Sequence, residues 1–152
     1  MDKIVAAFWQ MYDALQEQHL LGTIPSKPTT KTGFRPYKGG IVFPNGEVVE
    51  LLTMDISIYI LFIRHPEGIA TGDLWKHYSE LLEIYRRRSS SSDIDWIERR
   101  IDNFCDAPYD SFYAHISTIR SRICAAMNPL DAHRYCIARF ADGRYRIAAL
   151  RE

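Results

Sequence analysis

Two turn-forming dipeptides bracket a long helical pattern, and together they restrict this chain more than any other feature. Asn45-Gly46 lies between the β-rich runs Gly40–Phe43 and Glu47–Glu50. Asp142-Gly143 lies between Tyr135–Phe140 and Arg144–Ala148. Asn-Gly and Asp-Gly are strong short-range hairpin signals, because a two-residue type I′ loop needs positive φ at both central positions. Between the two dipeptides the apolar residues recur at three and four positions, the period of a helix. The expected chain is α+β, with a hairpin at either end and helices in the middle.

The helices can be placed from their stripes and breakers. One runs from Thr53 through Ile56, Ile60 and Ile63 and stops at His65-Pro66-Glu67-Gly68, where proline and glycine close it. Thr71 is a suitable N-cap for a second, with Leu74, Tyr78, Leu81 and Tyr85 on one face up to Arg86-Arg87-Arg88 and the serine run 89–92. A third follows from Asp93, with Ile94, Ile97, Ile101 and Phe104 on a stripe. The fourth, over 110–127, is the most regular: Phe112, Ile116, Ile119 and Ile123 fall within about 60° on a helical wheel. Its other side carries Ala114, Ser117, Thr118 and Ser121, with Arg120 and Arg122 on the flanks. After Pro129 the pattern becomes strand-like. Ahead of the hairpin, Ile4, Phe8, Leu15 and His19 mark an amphipathic helix over 1–24, and 25–38 reads as a linker with four basic and no acidic residues.

Order and motif then converge. His115-Ile-Ser-Thr-Ile-Arg-Ser-Arg-Ile123 resembles the recognition-helix signature of the OmpR/PhoB-type response-regulator effector domains. Gly46-Glu-Val-Val-Glu-Leu-Leu-Thr53, followed by an apolar helix and His65-Pro66-x-Gly68, is similar to that family's entry strand, first helix and turn. Gly143-Arg-Tyr-Arg-Ile147 is similar to its terminal wing strand. The resemblance covers about residues 40–148. It implies a winged helix-turn-helix domain over 39–152, with an N-terminal β-hairpin, an inserted helix within 86–108 and a C-terminal β-hairpin wing. It also implies binding of double-stranded DNA, with the last helix in the major groove and the wing in the minor groove. Position by position, the helix contacts would be His115, Ser117, Thr118, Arg120, Ser121 and Arg122, and the wing contacts Arg139, Arg144 and Arg146. With only about 39 residues ahead of the motif, a phosphoacceptor receiver domain is not expected. The N-terminal helix is left either as a homodimer contact or as packing for the sheet.

The charge distribution is compatible with that reading. Nineteen basic and nineteen acidic residues among 152 give no net charge, yet residues 109–152 hold seven basic against four acidic residues. An anionic partner would dock there. The balance also keeps open a second class, a winged helix that binds another protein through its small-residue helix face and no DNA. Fold alone does not choose between the two.

Other functions are disfavoured. No apolar run exceeds the six residues of Ile58–Ile63, against about 18 for a membrane span. No secretory leader is evident, so a cytoplasmic location is the default expectation. Cys105, Cys124 and Cys136 match neither a disulfide framework nor a zinc knuckle and read as buried thiols. No nucleophile-elbow, zincin or phosphate-loop motif occurs, so neither an enzyme nor a cofactor is expected. His65 reads as a helix-end residue, His77 and His133 as exposed, and Trp75 and Trp96 as core fillers beside their stripes.

Overall fold

The computed structural model describes residues 33–89, 93–106 and 111–151. The helix expected over 1–24, most of the linker and all of the serine run after Ser89 lie outside them. Three short antiparallel strands come first: β1 (Arg35–Tyr37), β2 (Gly40–Val42) and β3 (Val48–Glu50), in that spatial order. Helix α1 (Thr53–Arg64) leads to β4 (Ile69–Ala70), a 3-10 segment (Thr71–His77) and α2 (Tyr78–Arg88). Then follow α3 (Ile94–Asp106), α4 (Tyr113–Ala126) and α5 (Pro129–Tyr135). The last strands, β5 (Ile137–Arg139) and β6 (Arg144–Ile147), join β4 in a second antiparallel sheet ordered β4-β6-β5. The chain is thus mixed α+β, with two small sheets. Among the described residues no helix is long and apolar enough to cross a membrane.

Both hairpins form where the dipeptides place them, but the turn type differs. The Gly46 amide donates to Phe43 O at 2.9 Å, and the Phe43 amide to Glu47 O at 2.8 Å. Gly46 has φ +89, while no non-glycine residue among those described has positive φ. Pro44 and Asn45 therefore occupy a type I turn and Gly46 supplies a left-handed bulge, the three-residue hairpin loop. Pro44 suits this turn, since its ring fixes the negative φ that a type I turn needs at its first central residue. The second hairpin repeats the device, with the Gly143 amide donating to Phe140 O at 2.9 Å and Gly143 at φ +81. In each turn a side chain braces the loop: Asn45 Oδ1 accepts from the Glu47 amide, and Asp142 Oδ1 from the Arg144 amide, both at 3.0 Å.

Several local expectations are corrected. Residues 35–37, read as linker, form β1, and Pro36 is tolerated there because β1 is an edge strand with only β2 beside it. Thr71 begins a 3-10 segment and makes no side-chain cap. At three residues per turn this segment turns Leu74 inward and leaves Trp75 outside, 62% exposed. Trp96 is 39% exposed and lies under Arg100, so neither tryptophan fills the core. Pro129 opens the helix α5 before any strand, with Asn128 Oδ1 capping the Asp131 amide at 2.9 Å. Cys105 and Cys136 are buried as expected, but Cys124 is exposed.

Helix α1 is the centre of the core. Its residues from Met54 to Ile63 are all buried, so the helix is enclosed on every side and is not an amphipathic surface helix. Phe34, Phe43, Tyr59 and Tyr135 form an aromatic cluster joining the first sheet, α1 and α5, with ring centroids 5.3–5.7 Å apart. The Tyr59 hydroxyl donates to Tyr135 O at 2.6 Å. A second cluster sets Phe112 against Phe62, Phe104 and Tyr145. The stripe of α4 is core throughout: Phe112, Ile116, Ile119 and Ile123 are all buried.

Two measurements test this packing. A Cβ on Gly40 would lie 2.1 Å from Val49 O, a backbone atom that cannot move aside, so Gly40→Ala is expected to lower unfolding free energy by about 2–4 kcal/mol. Gly39→Ala, whose Cβ would meet only the Tyr37 ring at 3.3 Å, is expected to stay close to wild type in the same urea titration. Among the three thiols, Cys124 alone is exposed. Burial and the neighbouring Cys124 push the Cys136 thiol up to about 11, against the opposing pull of Arg120. A disulfide-exchange reagent is therefore expected to titrate one thiol in the native protein and the others only on unfolding.

Candidate nucleic-acid interface

The surface singled out by sequence is the outer side of α4 and the adjoining hairpin β5–β6. Burying the Phe112 stripe forces the opposite side of α4 outward, and Ser117, Thr118, Arg120, Ser121 and Arg122 are all exposed. Thr118 Oγ1 donates back to Ala114 O at 3.0 Å, so its hydroxyl is occupied within the helix. In the hairpin Arg139 and Arg144 are exposed. These seven residues are available to a partner.

The other two named residues are committed inward. His115 Nδ1 is hydrogen-bonded to Asp55 Oδ1 at 2.7 Å, and Asp55 on α1 is only 2% exposed. The His115 ring also packs edge-on against Phe104. His115 thus satisfies a buried carboxylate, which a sequence reading of α4 alone has no means of seeing, since the two residues are sixty positions apart. Arg146 pairs with Asp142 across the second turn and stacks over the Phe140 ring at 4.6 Å. Its side chain is 14% exposed. It braces the hairpin from within.

The two arginines of α4 face different neighbours. Arg122 borders a groove of about 230 Å³ shared with Glu50, Leu52, Asp55 and Thr118, so acidic side chains lie on its side of the helix. Arg120 points to the hairpin. Burial and a hydrogen bond with Tyr113 raise the Tyr145 hydroxyl, while Arg139 and Arg120 pull it down, so both guanidinium groups lie near Tyr145. Arg120 also lies beside the Cys136 thiol. The cationic ground is therefore Arg120 and Arg139 around Tyr145, while Arg144, one residue before Tyr145 on β6, is exposed on the other face of the strand.

Sequence reasoning missed one further cluster. His65 caps the end of α1, His77 ends the 3-10 segment and Glu80 lies in the first turn of α2. His65 Nε2 lies 2.7 Å and His77 Nδ1 3.7 Å from Glu80 Oε1, and the two rings are 4.4 Å apart. His77 is half-buried here, not exposed. Burial alone would lower His65, but hydrogen bonds to Glu80 and Glu67 outweigh it and hold its ring above the ordinary histidine range. No spacing motif announces this cluster, because a helix end, a 3-10 turn and a second helix have to meet before it exists.

Comparison with protein-family models, with curated proteins and with solved structures finds no match to this chain. The reading of the site consequently rests on its own residues.

The Asp55–His115 pair has a direct test. His115→Ala leaves the Asp55 carboxylate buried without its partner and is expected to cost about 1–3 kcal/mol in urea unfolding. Asp55→Ala combined with His115→Ala is expected to cost less than the sum of the single variants, because the pair is then removed as a unit.

Proposed function

We propose that this chain is a non-enzymatic winged-helix protein that binds duplex DNA. In this reading α1, α2 and α4 are the three helices, α3 is an insertion, and β5–β6 is the wing. The strand β4 between the first two helices pairs with the second wing strand, the arrangement such a domain needs to root its wing. The reading carries most weight from one observation. A helix whose outer face carries the small or polar residues Ala114, Ser117, Thr118 and Ser121 stands beside a hairpin that exposes Arg139 and Arg144, with Asp142 exposed in the turn between them.

The proposed division of labour follows from the geometry. Small side chains on α4 let its axis approach base edges in the major groove. Arg120, Arg139 and Arg144 provide phosphate contacts, which position the protein and carry the salt-dependent part of the affinity. Arg122 contributes less because Glu50 and Asp55 share its groove. His115 and Arg146 support the surface from behind without touching DNA. The expected partner is mixed-sequence duplex DNA, with site preference set by Ser117, Thr118 and Ser121.

The experiment is a fluorescence-anisotropy titration with random-sequence duplex at low and then physiological salt. Micromolar binding that weakens steeply with salt is expected. Arg120→Ala combined with Arg144→Ala is expected to weaken it and to reduce the salt slope by about two, while Arg122→Ala changes it less. Absence of binding at low salt overturns the proposal in favour of a protein-binding winged helix, for which the zero net charge of the chain is the favouring observation.

A further inference from the structure

The corner between α1, the 3-10 segment and α2 gathers side chains that the proposed DNA surface does not use. His65, His77 and Glu80 each offer one donor atom, and these atoms all lie within 4.8 Å of one another. We propose that His65 Nε2, His77 Nδ1 and Glu80 form a three-residue site for a divalent transition-metal ion of the zinc type, with a solvent molecule as the fourth ligand.

The donor set selects the class of ion. Two imidazole nitrogens and one carboxylate suit zinc and its neighbours, whereas magnesium and calcium take oxygen donors. Zinc ligands about 2.0–2.1 Å from the metal stand about 3.3 Å apart in a tetrahedron. Glu80 Oε1 is now 2.7 Å from one nitrogen and 3.7 Å from the other, so shifts of well under the length of a side chain bring the set to that spacing.

A second observation concerns the other nitrogen of His65. His65 Nδ1 faces Glu67 Oε2 at 3.2 Å. Metal-ligating histidines commonly donate their second ring N–H to a carboxylate, which fixes the tautomer and the ring plane. Glu67 is placed to do this, leaving Nε2 for the metal. The ligands also stand on fixed elements: His65 closes α1, and His77 and Glu80 are three residues apart where the 3-10 segment passes into α2. Their side chains are 21–30% exposed, so an ion can enter from solvent. Arg64 Nη1 lies 3.4 Å from Glu80 Oε2, on the oxygen not facing the histidines. That cation opposes a second positive charge, so the site is weaker than a four-ligand structural one.

The site would clamp the end of α1 to the start of α2. It is independent of DNA binding and stands or falls by itself. The test is isothermal titration of the chelator-stripped full chain with Zn²⁺, paired with Co²⁺ absorption. A single equivalent with micromolar Kd and a cobalt spectrum of tetrahedral intensity without a thiolate charge-transfer band are expected. His77→Gln and, as a separate variant, Glu80→Gln are each expected to weaken binding at least about tenfold, and His133→Gln to leave it unchanged. Circular dichroism checks that each variant is folded. Failure to bind Zn²⁺, wild-type affinity in a folded His77→Gln or Glu80→Gln chain, or a thiolate band placing the metal on cysteine would each overturn the proposal.

Discussion

Helix α1 is enclosed by both sheets and by α2, α4 and α5, and that enclosure sets conditions on everything packed against it. A helix buried from Met54 to Ile63 satisfies its own backbone, but each polar side chain it carries must find a partner inside the protein. Ser57 turns back to Thr53 O at 2.7 Å. Tyr59 reaches the carbonyl of Tyr135 at the end of α5. Asp55 takes His115 from α4. Two of these three bonds join α1 to elements about sixty or more positions away, and they fix where α4 and α5 can sit.

The same demand shapes the proposed DNA surface. Had α1 carried an apolar residue at position 55, His115 would have been free to turn outward with Ser117 and Thr118. Its capture by Asp55 leaves the outward face to small residues, two arginines and the exposed Tyr113. The hairpin behaves similarly. Asp142 serves the turn through Oδ1 and holds Arg146 through Oδ2, so one of the three hairpin arginines is spent on rigidity. A hairpin braced in this way would lose little conformational freedom on binding a rigid partner.

Local patterns carried much of the fold. The stripe Phe112–Ile123 gave a buried face as its spacing demands, and both Gly-containing turns sit at their dipeptides. Errors arose where one residue's rule competed with a neighbour's. Asn45-Gly46 forms a type I turn with a glycine bulge in place of type I′, with Pro44 at the first central position. The 3-10 winding after Thr71 rotated Trp75 outward. Pro129 began a helix where the strand pattern suggested none. Of the nine residues placed at the candidate interface, seven are outward-facing and two are held by partners.

What the sequence by itself determined is whatever depends on neighbours within about a turn: the period of α4, the glycine bulges, the helix stop at Pro66-Gly68. Tertiary structure decided which polar side chains are free. That choice depends on desolvation, since a buried carboxylate such as Asp55 must be met by a donor wherever in the chain one is near. For the same reason the cluster of His65, His77 and Glu80 is absent from any linear motif: it forms only because α1 and α2 pack end to start, and a few ångströms of approach turn three separate side chains into one set of donors.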